Sequence, residues 1–241
     1  MFIRYLQMAA ALLIFLLILF GGIALATFIL AKICQAITIL FFPKKRKAVL
    51  ASELKRLLKV IGSPGNRFRV SRNLKRNIRK RQDVEKNLKL LTESILVHML
   101  LPPNSVTLYV VHSEFDSFSS AGVVGRYYSG EREIELMLRK DQKFWNIAAI
   151  LTHECSHHFL DSKGVVAKPC LNAEELTDMT AIALGFGGCL DKGFHMMDTK
   201  NPYSSTVRTA KLGYLKYSDR LYIRWKILKY RKKSLNRYRA K

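Results

Sequence analysis

The segment FWNIAAILTHECSHHFL, residues 144–160, is apolar over its first two turns and carries two histidines four residues apart. This composition predicts a buried helix, which Asp141 would cap at its N-terminus and which would end near Leu160. His153 and His157 then project from one face of the helix, about one turn apart. A surface helix that happens to carry two histidines is the plainer interpretation. A Glu-His cluster in a buried helix is costly without a partner, however, which favours a metal site.

The spacing of His153 and His157 suits a tetrahedral Zn²⁺ with Zn–N distances of ~2.0–2.1 Å. Glu154 follows the first histidine and points beside the metal. Since Zn²⁺ lowers the pKa of a bound water to about 7, Glu154 is placed to accept the proton of that water as a general base. His158 points about 100° away around the helix, so we expect it to be packed or to support a ligand. Cys155 is expected to pack as a small apolar residue.

A catalytic zinc needs a third protein ligand, and a second predicted helix offers a candidate. Asn172 is the expected N-cap of this helix, and Glu175 falls at the third position of a capping box. Glu174 has no such structural role, and Asp178 lies on the same face one turn later. Small residues continue this face, so the helix can approach a neighbour closely. Glu174 can therefore reach the zinc, and Asp178 can accept the N–H at the back of a ligand histidine.

The motif His153-Glu154-x-x-His157, followed by Glu174-x-x-x-Asp178, resembles the gluzincin metallopeptidases. That group includes thermolysin and the membrane-bound peptidases related to the CAAX prenyl protease and the heat-shock membrane protease. The resemblance implies that Glu174 is the third zinc ligand and that Asp178 orients a ligand histidine.

The resemblance also implies that a strand at Glu133 to Leu138 borders the cleft and pairs with an extended substrate. β-branched and aromatic residues predict a strand at Val106 to Val111, and a turn at Ser129-Gly130 joins the strand at Glu133 to Leu138 to another predicted at Val123 to Tyr128. Peptide hydrolysis needs a donor for the developing oxyanion. Three downstream residues are candidates for it: Tyr214, His195 and Arg208.

The first 42 residues are almost entirely apolar, in contrast to the rest of the chain. Tyr5 to Ala31 carries no charge and exceeds the ~20 residues that cross a bilayer. We therefore predict one spanning helix at residues 5–31, followed by an interfacial segment that Pro43 ends. A helical hairpin turning at Gly21-Gly22 and a signal peptide cleaved near Ala26 are the alternatives.

Between Lys44 and Lys89, 17 Lys and Arg residues stand against 3 Asp and Glu residues, whereas only Arg4 precedes the apolar run. The positive-inside rule then predicts a single-pass membrane protein whose catalytic domain faces the cytoplasm. The predicted organisation is a membrane anchor at residues 1–42, a basic helical linker region at 43–101 and a catalytic domain at 102–241.

The chain carries a formal net charge of +23, which calls for an anionic neighbour. The anionic lipid surface of a membrane is the expected partner, since each nearby Lys or Arg is worth ~1 kcal/mol there. Nucleic acid is the less favoured partner, because no nucleic-acid-binding motif accompanies the basic stretches Arg67–Arg81 and Lys229–Lys241. The four cysteines show no paired spacing, which argues against a disulfide framework.

These features predict an α+β protein, with a zincin-like metallopeptidase domain behind an N-terminal transmembrane helix. The expected activity is Zn²⁺-dependent hydrolysis of a protein or peptide substrate, most simply by an endopeptidase. A membrane-bound zinc-binding sensor or scaffold without catalysis is the main alternative, although it has no use for Glu154. An anchored nucleic-acid binder is the third hypothesis.

Overall fold

The computed structural model describes residues 25–30, 33–34, 37, 43–113, 125–140, 142–195 and 214–239. The chain divides into two compact units, Met1–Lys44 and Lys45–Lys241. In the first unit, residues 25–30 are helical. The second unit contains the predicted metal-binding residues.

From Lys44 onward, the described residues form seven helices and three strands, an α+β arrangement. In chain order they are α1 (Lys44–Ile61), α2 (Arg72–Arg79), α3 (Val84–His98), β1 (Thr107–Ser113), β2 (Gly125–Tyr128), β3 (Glu133–Arg139), α4 (Phe144–Ser162), α5 (Ala173–Ala183), α6 (Gly187–His195) and α7 (Tyr217–Arg239).

Within the described residues, no helix combines the length and the apolar composition that a membrane crossing requires. This finding contradicts the single-pass membrane location with a cytoplasmic domain. It also contradicts the fold class that placed a zincin-like domain behind an N-terminal transmembrane helix. A crossing takes ~20 consecutive apolar residues, and no described helix supplies such a run. Most of the range 5–31, and most of the segment from 32 to 42, lie outside the described residues.

Helix α4 lies at the centre of the second unit and is buried along almost its whole length. It packs against α3, α5 and α6 and against strands β2 and β3. Helix α4 begins at Phe144 with Lys143 as its N-cap residue, whereas the predicted cap, Asp141, lies outside the described residues. Because all sides of α4 are covered, its polar residues depend on partners from neighbouring elements.

The three strands form one sheet in the order β1-β3-β2. Strand β1 pairs with β3 in parallel and β2 pairs with β3 antiparallel, with Gly125 opposite Leu136. Ile134, Leu136 and Leu138 alternate along β3 and are buried, which explains their apolar character. Both edges of the strand at Glu133 to Leu138 are paired, so the expectation that it pairs with an extended substrate is wrong. Within the described part of the sheet, β2 is the edge strand beside α4.

The turn after α5 requires a glycine. Gly185 has a φ of +102°, in the region that L side chains rarely adopt, and a Cβ atom there would lie 1.7 Å from the carbonyl oxygen of Asn66. The segment 65–68, which contains Asn66, pairs with the end of α5. The N–H of Gly65 donates to the Ala183 carbonyl (2.9 Å), and the N–H of Phe68 donates to the Gly185 carbonyl (3.2 Å). This contact fixes the C-terminal end of the helix that supplies Glu174.

Helix α6 approaches α4 closely at Gly193. A Cβ atom at this position would lie 2.3 Å from the Ala149 Cβ and 2.6 Å from the Trp145 carbonyl oxygen. The side chain of Asn146 donates a hydrogen bond to the Gly193 carbonyl (2.9 Å). The contact between the two backbones thus depends on the absence of a side chain at residue 193.

We expect Gly193→Ala to lower the free energy of unfolding by about 1–3 kcal/mol, because the added methyl group must push α6 away from α4. Urea denaturation measures the change. Gly130→Ala is the control: a Cβ atom there meets nothing within 4 Å, so its effect should stay within about 0.5 kcal/mol. Equal stabilities of the two variants would contradict the close packing of α4 and α6.

Candidate metal centre

The imidazole rings of His153 and His157 lie side by side on α4, with ring centroids 4.9 Å apart. Both rings direct Nε2 toward one carboxylate oxygen, Glu174 Oε2, at 2.9 Å and 3.2 Å respectively. One ligand atom from each of the three residues lies within 4.8 Å of the other two. Two nitrogens and an oxygen that converge in this way can bind one metal ion.

Glu174 reaches this position because α5 begins immediately before it. The side chain of Asn172 accepts a hydrogen bond from the N–H of Glu175 (2.7 Å), so Asn172 is the N-cap that the sequence predicts. The Glu175 carboxylate, however, does not complete a capping box, and Arg46 of α1 donates to it instead (2.6 Å). The side chain of Glu174 is 37% exposed, so the centre is open on one side.

Asp178 holds the far side of the His153 ring. Its Oδ1 lies 2.9 Å from His153 Nδ1, and its Oδ2 accepts the backbone N–H groups of Tyr214 (2.7 Å) and Leu215 (3.0 Å). The carboxylate is fully buried. Because His153 Nδ1 donates to this carboxylate, Nε2 is the nitrogen that can bind a metal once the ring is neutral.

Thr177 has the same role for His157 and was missed from the sequence. Its hydroxyl donates to the Ala173 carbonyl (2.9 Å), so its oxygen is an acceptor for His157 Nδ1, 3.2 Å away. This pairing again leaves Nε2 of the histidine for the metal. Helical spacing could have found Thr177, since it lies three residues after Glu174 on the same side of α5.

Glu154 lies beside the three ligand residues and is not one of them. It is 7% exposed, and burial raises the pKa of its carboxyl group although His153 and His157 act in the opposite direction. Strand β2 passes close to it, since a Cβ atom at Gly125 would lie 3.0 Å from Glu154 Oε1. A carboxylate with a raised pKa can accept a proton and return it near neutral pH.

Of the three candidate oxyanion donors, Tyr214 lies beside the converging residues. Its ring stacks on that of His153, with centroids 5.6 Å apart and planes 26° from parallel. Burial raises the pKa of its hydroxyl, and the charges of Glu174 and Glu154 raise it further, so the hydroxyl keeps its proton at neutral pH. Arg208 and the side chain of His195 lie outside the described residues.

His158 and Cys155, which also lie on α4, are not among the three residues that converge. His158 Nδ1 lies 3.0 Å from the hydroxyl of Tyr127 on β2, and its Nε2 lies 3.0 Å from the Ser105 hydroxyl. This histidine therefore connects α4 to the sheet and to the loop before β1. Cys155 is fully buried, and burial raises the pKa of its thiol, which excludes it as a thiolate nucleophile.

Hydrogen bonds and charges among the three converging residues raise the pKa of His153 and lower the pKa of Glu174. Burial alone would lower the pKa of His153, but the hydrogen bonds with Asp178 and Glu174 outweigh it and raise this pKa to about 10. The bonds from His153 and His157 hold the pKa of Glu174 well below its usual range.

Comparison of the chain with known protein families, with curated proteins and with solved structures gave no match.

We expect Thr177→Val to weaken zinc binding about 10- to 100-fold, because His157 Nδ1 loses its acceptor while the side chain keeps its size. Competition with a fluorescent zinc chelator measures the affinity. Thr177→Ser keeps the hydroxyl and should bind zinc nearly as well as the wild type. If valine and serine bind equally well, Thr177 does not orient the histidine.

Zinc binding should release a proton at neutral pH, since the imidazolium of His153 must become neutral before Nε2 can bind the metal. The apparent affinity should therefore rise about tenfold per pH unit between pH 6 and 8.5, below the pKa of about 10 in the zinc-free protein. Calorimetric titrations in buffers of different ionisation enthalpy count the protons. Heats that are the same in all buffers would show that His153 is already neutral without zinc.

Proposed function

We propose that this chain is a zinc-dependent peptidase in which Glu154 is the general base. One observation carries the proposal: the Nε2 atoms of His153 and His157 converge on the Glu174 carboxylate, while both Nδ1 atoms have other partners. Metal-binding histidines are oriented in this way, through a hydrogen bond at the nitrogen that does not bind the metal.

The donor set favours zinc in a catalytic role over a structural one. Two imidazole nitrogens and one carboxylate oxygen are a common ligand set of catalytic Zn²⁺, whereas structural sites have four protein ligands. Among the described residues, the group consists of His153, His157 and Glu174. A fourth coordination position then remains for water or substrate, on the side where Glu174 is exposed.

Zn²⁺ held by these residues would polarise the substrate carbonyl and a water molecule. Glu154 accepts the proton from the attacking water and later donates it to the leaving amine. Its burial supports this role, because a raised pKa brings the carboxyl group closer to the pH at which it must gain and lose a proton. The protonated hydroxyl of Tyr214 is positioned to donate to the oxyanion that develops on the carbonyl.

The substrate of this proposal is an extended peptide segment, cleaved by an endopeptidase. Strand β2 is an edge strand within the described part of the sheet, and Gly125 on it lies against Glu154. A peptide aligned along β2 would pass close to the general base and the metal ligands. A non-catalytic zinc-binding protein is the alternative, but the buried carboxylate of Glu154 has no function in it.

Glu154→Gln separates the two functions. We expect about one zinc per chain in the wild type and in this variant, with peptide cleavage reduced at least about 100-fold because the amide cannot accept a proton. Mass spectrometry measures zinc content, and a mixed peptide library measures cleavage. Glu174→Ala should lose both zinc and activity.

Glu131→Gln makes the same chemical change at an exposed turn and is the matched control. It should keep both zinc and activity. A wild type that binds zinc but cleaves no peptide of the library would favour the non-catalytic alternative. A folded wild type without zinc would remove the basis of the proposal.

A further inference from the structure

Arg46 of α1 connects two other helices through one guanidinium group. Its Nη2 lies 2.6 Å from Glu175 Oε1 on α5 and 2.6 Å from Asp219 Oδ2 on α7. Its Nε donates to the same Asp219 oxygen (3.1 Å), and its Nη1 donates to Glu175 Oε2 (3.4 Å). Asp219 is almost completely buried, so the guanidinium neutralises a charge that solvent does not reach.

The first of these contacts lies next to a metal ligand. Glu175 and Glu174 are consecutive residues in the first turn of α5, and Asn172 caps this turn through the N–H of Glu175. Because Arg46 binds both oxygens of Glu175, it fixes the turn at a position about 100° around the helix from Glu174. It also keeps the second of two adjacent carboxylates away from the metal, so that Glu174 alone faces the two histidines.

The second contact leads to the other side of the centre. Asp219 lies in the first turn of α7, shortly after Tyr214 and Leu215. The backbone N–H groups of those two residues donate to Asp178, which in turn holds His153. Arg46 thus contacts the helix turn that carries Glu174, through α5. It also contacts the start of α7, next to the segment that holds Asp178 and, through it, His153.

We infer that Arg46 is a positioning residue for the metal centre and that it couples the docking of α1 to metal binding. The inference rests on the metal centre of the proposed function. If the contact sets the positions of Glu174 and His153, metal binding must in return stabilise the docking of α1, since coupling between two sites is reciprocal.

Zinc affinity of matched variants tests the positioning. We expect Arg46→Gln and Glu175→Gln each to bind zinc about tenfold more weakly than the wild type, as variants of residues that support metal ligands do. Glu175→Gln leaves the Arg46–Asp219 pair intact. It should therefore fold even if Arg46→Gln does not, and it then tests the same contact. Arg46→Lys should recover part of the affinity, since an ammonium pairs with one carboxylate but lacks the fork that binds two.

Arg56→Gln is the matched control. Arg56 lies on the same helix, its side chain is 26% exposed like that of Arg46, and it pairs with Glu53, which is buried. It contacts Val166 in the loop after α4 but neither α5 nor α7. This variant should lose stability as Arg46→Gln does, yet bind zinc within about twofold of the wild type.

Hydrogen exchange on the full chain tests the coupling. We expect zinc to slow amide exchange in residues 45–61 of the wild type and of Arg56→Gln, and to have no such effect in Arg46→Gln. Equal zinc affinities and equal protection in all variants would overturn the inference and leave the proposed function intact. A wild-type chain that binds no zinc would overturn both, so the two failures are distinguishable.

Discussion

The buried carboxylate of Asp178 is the interaction on which the rest of the site depends. A charge without solvent contact is costly unless hydrogen bonds compensate for it, and this carboxylate has three partners. One is the ring of His153, and the other two are backbone N–H groups of the segment that precedes α7. The three hydrogen bonds of Asp178 therefore hold α5 against α4 and fix the orientation of the His153 ring. They also fix the segment at which the last helix begins.

The same arrangement explains why polar residues occur in an apolar helix. Helix α4 is buried along most of its length, so its imidazoles need partners inside the protein. His153 bonds to Asp178, His157 to Thr177 and His158 to Tyr127 and Ser105, and these bonds hold the rings in fixed orientations. A centre in which the ligands are oriented before the metal arrives loses less conformational entropy on binding.

The sequence predicted the parts of the site that helical periodicity determines. The pairs His153–His157 and Glu174–Asp178 each lie one turn apart, and this local geometry does not depend on the rest of the fold. The order of the strands does depend on it, and the resemblance alone implied that the strand at Glu133 to Leu138 pairs with a substrate, whereas both its edges are paired within the sheet. The membrane prediction rested on composition alone, and among the described residues no helix has the length and apolar composition that a crossing needs.

The contacts of Arg46 could not be predicted from the sequence, because 129 and 173 residues separate it from its two partners. In the sequence it is one of four consecutive basic residues, and nothing distinguishes it from its neighbours. Stability alone gives little reason for such a buried ionic contact, because apolar residues of similar volume often serve a core equally well. An arginine that binds two carboxylates does what apolar side chains cannot, since it fixes the direction of both. That property is useful here because the residue before Glu175 is Glu174, whose carboxylate lies against His153 and His157.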